Sequence, residues 1–108
     1  MSQIQIEPAE AVNLAGAMDY SEGAIVSKTL IESKSGTLTL FAFDAGQGLS
    51  EHISPYNATV YILEGEATLI IGDKTVRAGT GEMVVMPANV PHAVQANSPF
   101  KMLLILIR

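Results

Sequence analysis

Two histidines, His52 and His92, are the only imidazoles in a chain of 108 residues that contains no Cys. Imidazole is a common metal ligand, and its ordinary pKa suits it to proton transfer near neutral pH. The lack of Cys excludes disulfides, thiolate metal sites and Cys nucleophiles. Chemistry by metal ligation or proton transfer on imidazole must therefore use one or both of these histidines.

A hydroxyl also lies close to the first histidine, because Ser54 follows His52 by two residues. A Ser–His pair could act in nucleophilic catalysis, but it needs a third group that orients the imidazole. No such group stands out in the sequence. A small polar side chain that fills space is the simpler interpretation of Ser54, and a hydrolase is not favoured.

The composition predicts one globular domain. Hydrophobic residues make up 48% of the chain and charged residues 16%, which is typical of a packed core. The net charge of −5 makes nucleic acid an unsuitable partner. The N-terminus lacks the layout of a signal peptide, and the longest apolar run is residues 102–107, far short of the roughly 20 residues that span a bilayer. We expect a cytoplasmic protein with no membrane partner.

Apolar residues recur with a period of two through most of the chain, which predicts strands. The predicted strands are residues 24–33, 37–43, 59–63, 66–71, 74–78, 83–86, 92–96 and 101–107. Gly65 and Gly72 lie in short polar turns between them. This spacing is typical of an all-β sandwich or barrel of about eight or more short strands. Residues 8–18 are the one candidate for a short helix, which Asn13 and Gly16 disfavour.

The last predicted strand, residues 101–107, is apolar on both faces. A strand of this kind is covered on both sides. Either both faces belong to the core, or the outward face forms a subunit interface. Small all-β domains often associate through such a face, and we expect a homodimer.

Two segments carry a resemblance to a known family. Gly46, His52 and Gly65 fall on the spacing of the first conserved motif of the cupin superfamily, and Gly81, Pro87 and His92 fall on that of the second. The chain thus resembles a small single-domain bacterial cupin over roughly residues 37–107. The resemblance implies a double-stranded β-helix, or jelly-roll barrel. Residues 1–108 then form one domain, with residues 1–23 as an N-terminal extension and residues 24–107 as the barrel.

The resemblance also implies a metal site, from which this sequence departs. In the family, two His and a Glu of the first motif and one His of the second hold the metal. Ser54 stands here at the second His position and Ala58 at the Glu position, so the metal-binding motif is incomplete. Asn89 replaces a Gly of the second motif, and Asn tolerates positive φ. Non-haem iron sites favour two His plus a carboxylate, so an oxygenase is the weakest enzyme hypothesis.

Three interpretations of His52 and His92 stay open. They are hydrogen-bonded polar residues of the barrel, or they hold one divalent metal (Zn, Ni, Mn or Fe) with water or ligand completing its shell. Alternatively, one of them acts as an acid or base without metal.

Alternation of side chains along strands predicts which residues face the lumen. Besides the two histidines, the predicted pocket-lining residues are Ser54, Ala58, Val60, Ile62 and Val94, with Ser50 inward and Glu51 outward by the same parity. This mostly apolar lumen suits a small, partly apolar or aromatic molecule. The sequence therefore leaves a small-molecule binding barrel, a metal-dependent enzyme of the isomerase, lyase or oxygenase type, and a non-catalytic protein with a vestigial pocket.

Overall fold

Two antiparallel sheets form the barrel in the computed structural model, which describes residues 3–108. The strands of these residues are β1 (Gln3–Ile4), β2 (Ile25–Ser33), β3 (Gly36–Phe43), β4 (Gly48–His52), β5 (Ala58–Glu64), β6 (Glu66–Ile71), β7 (Lys74–Gly79), β8 (Met83–Met86), β9 (His92–Gln95) and β10 (Phe100–Ile107). One sheet has the order β1-β2-β3-β10-β5-β8, and the other has the order β4-β9-β6-β7. This architecture confirms the all-β jelly-roll prediction.

The candidate helix over residues 8–18, which Asn13 and Gly16 disfavour, is reduced to one short turn. Within this segment only Leu14–Gly16 is helical, as a single 3₁₀ turn capped by the Asn13 side chain. Ala9 has a φ of 64°, which an α-helix does not accommodate. β1 and β4 are further strands that the sequence pattern did not single out. No helix of residues 3–108 is long and apolar enough to cross a membrane.

The inner core lies between the two sheets of the barrel. Its largest side chains are the stacked rings of Phe43 and Phe100, whose centroids lie 4.6 Å apart. Val60, Ile62 and Leu69 are fully buried in the same cluster. Burying such apolar side chains contributes about 1.5–3 kcal/mol each, so this cluster is a principal source of stability.

A second core covers part of the outer face of the six-stranded sheet. Met18 of the N-terminal segment packs there with Leu30, Leu40 and Leu103. Alternate residues of β10 therefore enter the inner and outer cores, which accounts for its apolar pattern on both faces. Ile107, at the end of β10, is 70% exposed.

A polar cluster links the N-terminal segment to the outer face of the six-stranded sheet. The Lys101 ammonium is largely buried and donates to the carbonyl of Ala15, lies 3.8 Å from the Glu64 carboxylate, and sits over the Tyr20 ring. The Tyr20 hydroxyl donates to the same carboxylate. Burial, together with this bond to Glu64, raises the pKa of Tyr20 well above its usual range.

Candidate functional site

A cavity of about 250 Å³ opens inside the barrel. Strands β4, β5, β8, β9 and β10 and the segment after β4 supply its wall. The lining residues are Leu49, His52, Ser54, Ala58, Met86, His92, Val94, Met102, Leu104 and Leu106. The wall is thus apolar except for two imidazoles and one hydroxyl.

The predicted site residues do not all line this cavity. His52, Ser54, Ala58, His92 and Val94 lie in its wall. The two other predicted lining residues, Val60 and Ile62, share the inward parity of β5 and are fully buried, but they do not line the cavity. Parity identifies the face of a strand, but not the depth at which packed side chains give way to open space.

Leu49 is a lining residue that alternation along a regular strand does not predict. Leu49 pairs with Val94 and His52 pairs with His92, so β4 has one more residue than β9 between the same two pairs. Such a β-bulge reverses the parity that follows it. Leu49 and His52 therefore both face the cavity, whereas Ser50, predicted to point inward, is exposed.

The two imidazoles meet across the β4–β9 pair. Their Nε2 atoms lie 3.1 Å apart, and the rings are edge-on with centroids 4.3 Å apart. The Nδ1 atom of His52 lies 2.9 Å from the carbonyl oxygen of Ser50. The Nδ1 atom of His92 lies 3.2 Å from the carbonyl oxygen of Val90. Each ring is held through Nδ1 and directs Nε2 at the other ring.

These contacts determine where the ring protons are. A carbonyl oxygen only accepts hydrogen bonds, so both Nδ1 atoms carry protons and donate. In two neutral rings the Nε2 atoms would then present two lone pairs to each other. The 3.1 Å contact is favourable only when a proton or another cation lies between them. The pair is therefore a preformed receptor for one positive charge.

The two rings differ in burial. His92 is 1% exposed, whereas His52 is exposed. Desolvation, followed by repulsion from His52, lowers the pKa of His92, and the hydrogen bond to the Val90 carbonyl opposes this shift only in part. Burial thus favours the neutral form of the His92 ring.

Ser54 has a structural role beside its place in the cavity wall. Its Oγ accepts the backbone N–H of Tyr56 at 3.1 Å, and its carbonyl accepts the N–H of Asn89 at 2.8 Å. The Asn57 side chain accepts the N–H of Ala88 at 2.8 Å, which ties the same two loops a second time. Asn89 has a φ of 64°, the positive value expected at this Gly position. Because Oγ is the acceptor in its bond with Tyr56, the Ser54 hydroxyl proton remains available as a donor.

The residues present fit part of a metal site. Two imidazole nitrogens bound to one zinc-like ion at about 2.0–2.1 Å each lie roughly 3 Å apart, and the Nε2 atoms are 3.1 Å apart. Backbone carbonyls on both Nδ1 atoms are the usual support for metal-binding His. No group of three or more His, Asp or Glu residues that could hold a metal exists within residues 3–108. Water or a bound molecule would have to supply the other ligands.

Comparisons with known proteins agree with this architecture. The Cupin_2 family, described as a cupin domain, matches residues 39–106. No curated protein matches the chain. A conserved protein of unknown function from Streptococcus pyogenes is 36% identical, with a TM-score of 0.90 over 95% of this chain and 90% of that chain.

Two further solved structures are described as cupins. A cupin superfamily protein from Desulfitobacterium hafniense is 26% identical, with a TM-score of 0.88 over 94% of each chain. A cupin 2 conserved barrel domain protein from Leptotrichia buccalis is 41% identical with a TM-score of 0.86, over 90% of this chain and 47% of that chain. The family match and the shared architecture together show that this chain belongs to the cupin superfamily.

Proposed function

We propose that the barrel binds a small, largely apolar molecule in its cavity and holds one polar group of that molecule at the His52–His92 pair. The observation that carries this proposal is the convergence of two Nε2 atoms at 3.1 Å in an otherwise apolar wall. Pockets of this kind, with a few convergent polar groups, are the usual sites for small ligands.

The size of the cavity supports a ligand with a single ring. An apolar protein cavity of roughly 150 Å³ is large enough to bind benzene. The present cavity of about 250 Å³ leaves room for a ring with one or two small substituents. Met86 and Met102 adapt to the shape of such a body because the Met side chain is flexible.

The polar groups favour a ligand that accepts hydrogen bonds. A proton shared by the two Nε2 atoms and the hydroxyl proton of Ser54 would both be donors in the cavity wall. A carboxylate or carbonyl oxygen could accept from either donor. We therefore expect an apolar body with one acidic or carbonyl group, and benzoate is a suitable probe.

The proposal is tested by NMR of the Met methyl groups during titration with toluene, benzyl alcohol and benzoate. Met86 and Met102 line the cavity, whereas Met18 lies in the outer core and Met83 on the surface, so the protein contains its own controls. Saturable shifts confined to Met86 and Met102, with benzoate binding at least tenfold more tightly than toluene, are expected. The absence of shifts with all three probes at millimolar concentration would overturn the proposal and favour a vestigial pocket.

Two matched variants locate the binding. Ala58→Leu adds volume to the cavity wall, whereas Thr59→Leu places the same side chain at the next residue, on the opposite face of β5. Benzoate binding should be lost in the first variant and retained in the second. If both variants fold and both lose benzoate binding, the ligand binds outside the cavity.

A second candidate is a metal-dependent enzyme of the isomerase, lyase or oxygenase type. The spacing and support of the two Nε2 atoms favour it, because they suit two ligands of one divalent ion such as Zn, Ni, Mn or Fe. A bound metal would supply Lewis acidity at the cavity wall. Elemental analysis of untagged protein purified without chelators separates the candidates. One equivalent of a single metal per chain favours the enzyme, and no uptake after soaking with each ion favours the metal-free barrel.

A further inference from the structure

Two thioethers share the cavity wall with the two imidazoles. Met86 and Met102 line the cavity and are buried, and the lining residues of the described chain include no Asp, Glu, Lys or Arg. Thioether sulfur is a soft, uncharged donor that selects Cu(I), and imidazole also binds copper. The described wall therefore offers neutral nitrogen and sulfur donors without the carboxylates that suit hard divalent ions.

Met86 lies at the same end of the barrel as the histidine pair. It is the last residue of β8, and His92, after one short loop, is the first residue of β9. Met86 pairs with Ala58, which contributes only a methyl group to the cavity wall beside it. Met102 lies deeper, because it pairs with Ile62, about 13 Å further along β5 than Ala58. Met86 is therefore the thioether on the same level as the two imidazoles.

The spacing of the two Nε2 atoms requires a third ligand for any bound ion. An ion about 2.0 Å from each of two nitrogens that lie 3.1 Å apart makes an angle of roughly 100° with them. A linear complex, which Cu(I) forms with two nitrogen ligands alone, needs a much wider separation. Two uncharged donors of the wall remain at this end of the barrel, the Met86 sulfur and the Ser54 Oγ. The Ser54 Oγ already accepts the N–H of Tyr56, and a soft ion prefers sulfur to oxygen.

The surroundings of the pair favour an ion of single charge. Both Nδ1 atoms carry protons, so the two rings bind an ion as neutral ligands. No carboxylate lines the described cavity to compensate the charge of an ion. The electrostatic cost of moving an ion from water into an apolar medium rises with the square of its charge, so a monovalent ion costs about a quarter as much as a divalent one of equal size.

We propose that the Nε2 atoms of His52 and His92 and the thioether of Met86 bind one soft monovalent cation, of which Cu(I) is the biological example. The ion takes the place that a shared proton would occupy, and both Nδ1 atoms stay protonated on their carbonyls. This proposal goes beyond the proposed function, because neither benzoate binding nor a divalent metal requires the sulfur of Met86. The deeper part of the cavity, beside Val94 and Met102, stays open to an apolar molecule.

A titration with Ag(I), read by NMR of the Met methyl groups and the His ring nitrogens, tests the ligand set in the unmodified chain. Ag(I) is a suitable probe because it is soft, monovalent and diamagnetic. The Met86 methyl and both Nε2 signals should shift and saturate at one equivalent, whereas Met18 in the outer core and Met83 on the surface should not respond. No uptake, or shifts of the Nε2 signals without a shift of Met86, would overturn the proposal.

Affinity for Cu(I), measured without oxygen by competition with a chromophoric Cu(I) chelator, tests the role of the sulfur. Met86→Leu keeps a side chain of similar volume but removes the thioether, and Met83→Leu is the matched control at an exposed position of the same strand. Met86→Leu should bind Cu(I) at least tenfold more weakly at unchanged Tm, with unchanged affinity for Zn(II), and Met83→Leu should match the wild type. Equal Cu(I) affinity in the two variants, or tighter binding of Zn(II) than of Cu(I) by the wild type, would contradict the proposal. Either result leaves the benzoate titration unaffected, so failure of this proposal and failure of the proposed function are distinguishable.

Discussion

The two imidazoles owe their shared geometry to two backbone carbonyls. The carbonyls of Ser50 and Val90 each accept an Nδ1 proton, which leaves both Nε2 atoms free to meet in the cavity. A carbonyl two residues before each His provides this support, so replacing Ser50 or Val90 by another non-Pro residue removes no hydrogen-bonding group. The two backbone carbonyls orient the rings and the two Nε2 atoms provide the lone pairs, so both together form the receptor for a positive charge.

The buried histidine makes stability depend on pH. Burial lowers the pKa of His92 below its ordinary value of 6.5, so the unfolded chain binds more protons than the folded protein in the range between the two values. His92 thus contributes stability above pH 6.5, and this contribution is lost as the pH falls from 6.5 through the lower folded value. Urea denaturation from about pH 8 to pH 5 should show this decline.

The variant His92→Asn removes the titrating ring and should flatten this pH dependence below pH 6.5. The quantity to compare between the variant and the wild type is the slope of the free energy of unfolding against pH, rather than the free energy itself. A slope in the variant equal to that of the wild type would show that other groups cause the decline.

Restoring the family ligands should raise metal affinity. The double variant Ser54→His with Ala58→Glu adds an imidazole and a carboxylate to the cavity wall, where both parent residues lie. Zinc affinity, measured by competition with a chromophoric chelator, should rise at least tenfold because more protein ligands surround the ion.

The matched control for this gain is Ser50→His with Thr59→Glu. It introduces the same two side chains at residues that do not line the cavity. An equal gain in the control, or none in the cavity variant, would contradict the assigned orientation of residues 54 and 58.

At the scale of elements, the bulge in β4 is what brings His52 opposite His92. Regular alternation along a strand predicts that His52 and Ser54 line the cavity, and both do. It also predicts that Ser50 points inward and gives Leu49 no place in the wall, whereas Ser50 is exposed and Leu49 lines the cavity. The segment from Gly48 to His52 contains no Pro or second Gly that would signal an extra residue. The bulge arises from register against β9, a long-range pairing that no local pattern encodes.

The loop before β9 gives a prediction about backbone conformation. Asn89 has a φ of 64°, in the left-handed region that Gly and Asn adopt more readily than β-branched residues. Asn89→Gly should change the free energy of unfolding by less than about 0.5 kcal/mol, whereas Asn89→Val should cost about 1–2 kcal/mol. Chemical denaturation measures both, and equal stability of the two variants would show that this φ is not maintained in solution.

At the scale of the whole molecule, the N-terminal segment completes the outer core. The apolar pattern of β10 predicted coverage on both faces, and both faces do enter cores. The sequence did not predict that the cover comes from residues near Met18, because the segment has no regular hydrophobic period. Contacts such as that of Lys101 with Ala15 join positions far apart in the chain, and only the folded barrel brings them together.

The buried ammonium should matter for stability well beyond an ordinary surface lysine. Lys101→Ala removes a charged donor from the Ala15 carbonyl and from the Glu64 carboxylate, and should cost about 2 kcal/mol of folding free energy. Lys28→Ala, at an exposed position of β2, should change stability by less than about 0.5 kcal/mol. Equal effects in urea denaturation would contradict the role of Lys101 in fastening the N-terminal segment.

The most direct test of the proposed site is a titration of ¹⁵N-histidine-labelled protein with benzoate, read from the ring nitrogens. The chain has two histidines, so every ring nitrogen signal can be assigned. Before benzoate is added, both Nδ1 atoms should be protonated, because each donates to a backbone carbonyl. Benzoate should then shift the Nε2 signals and leave Nδ1 protonated. Unprotonated Nδ1 atoms at the start, or Nε2 signals that do not respond, would contradict binding at the histidine pair.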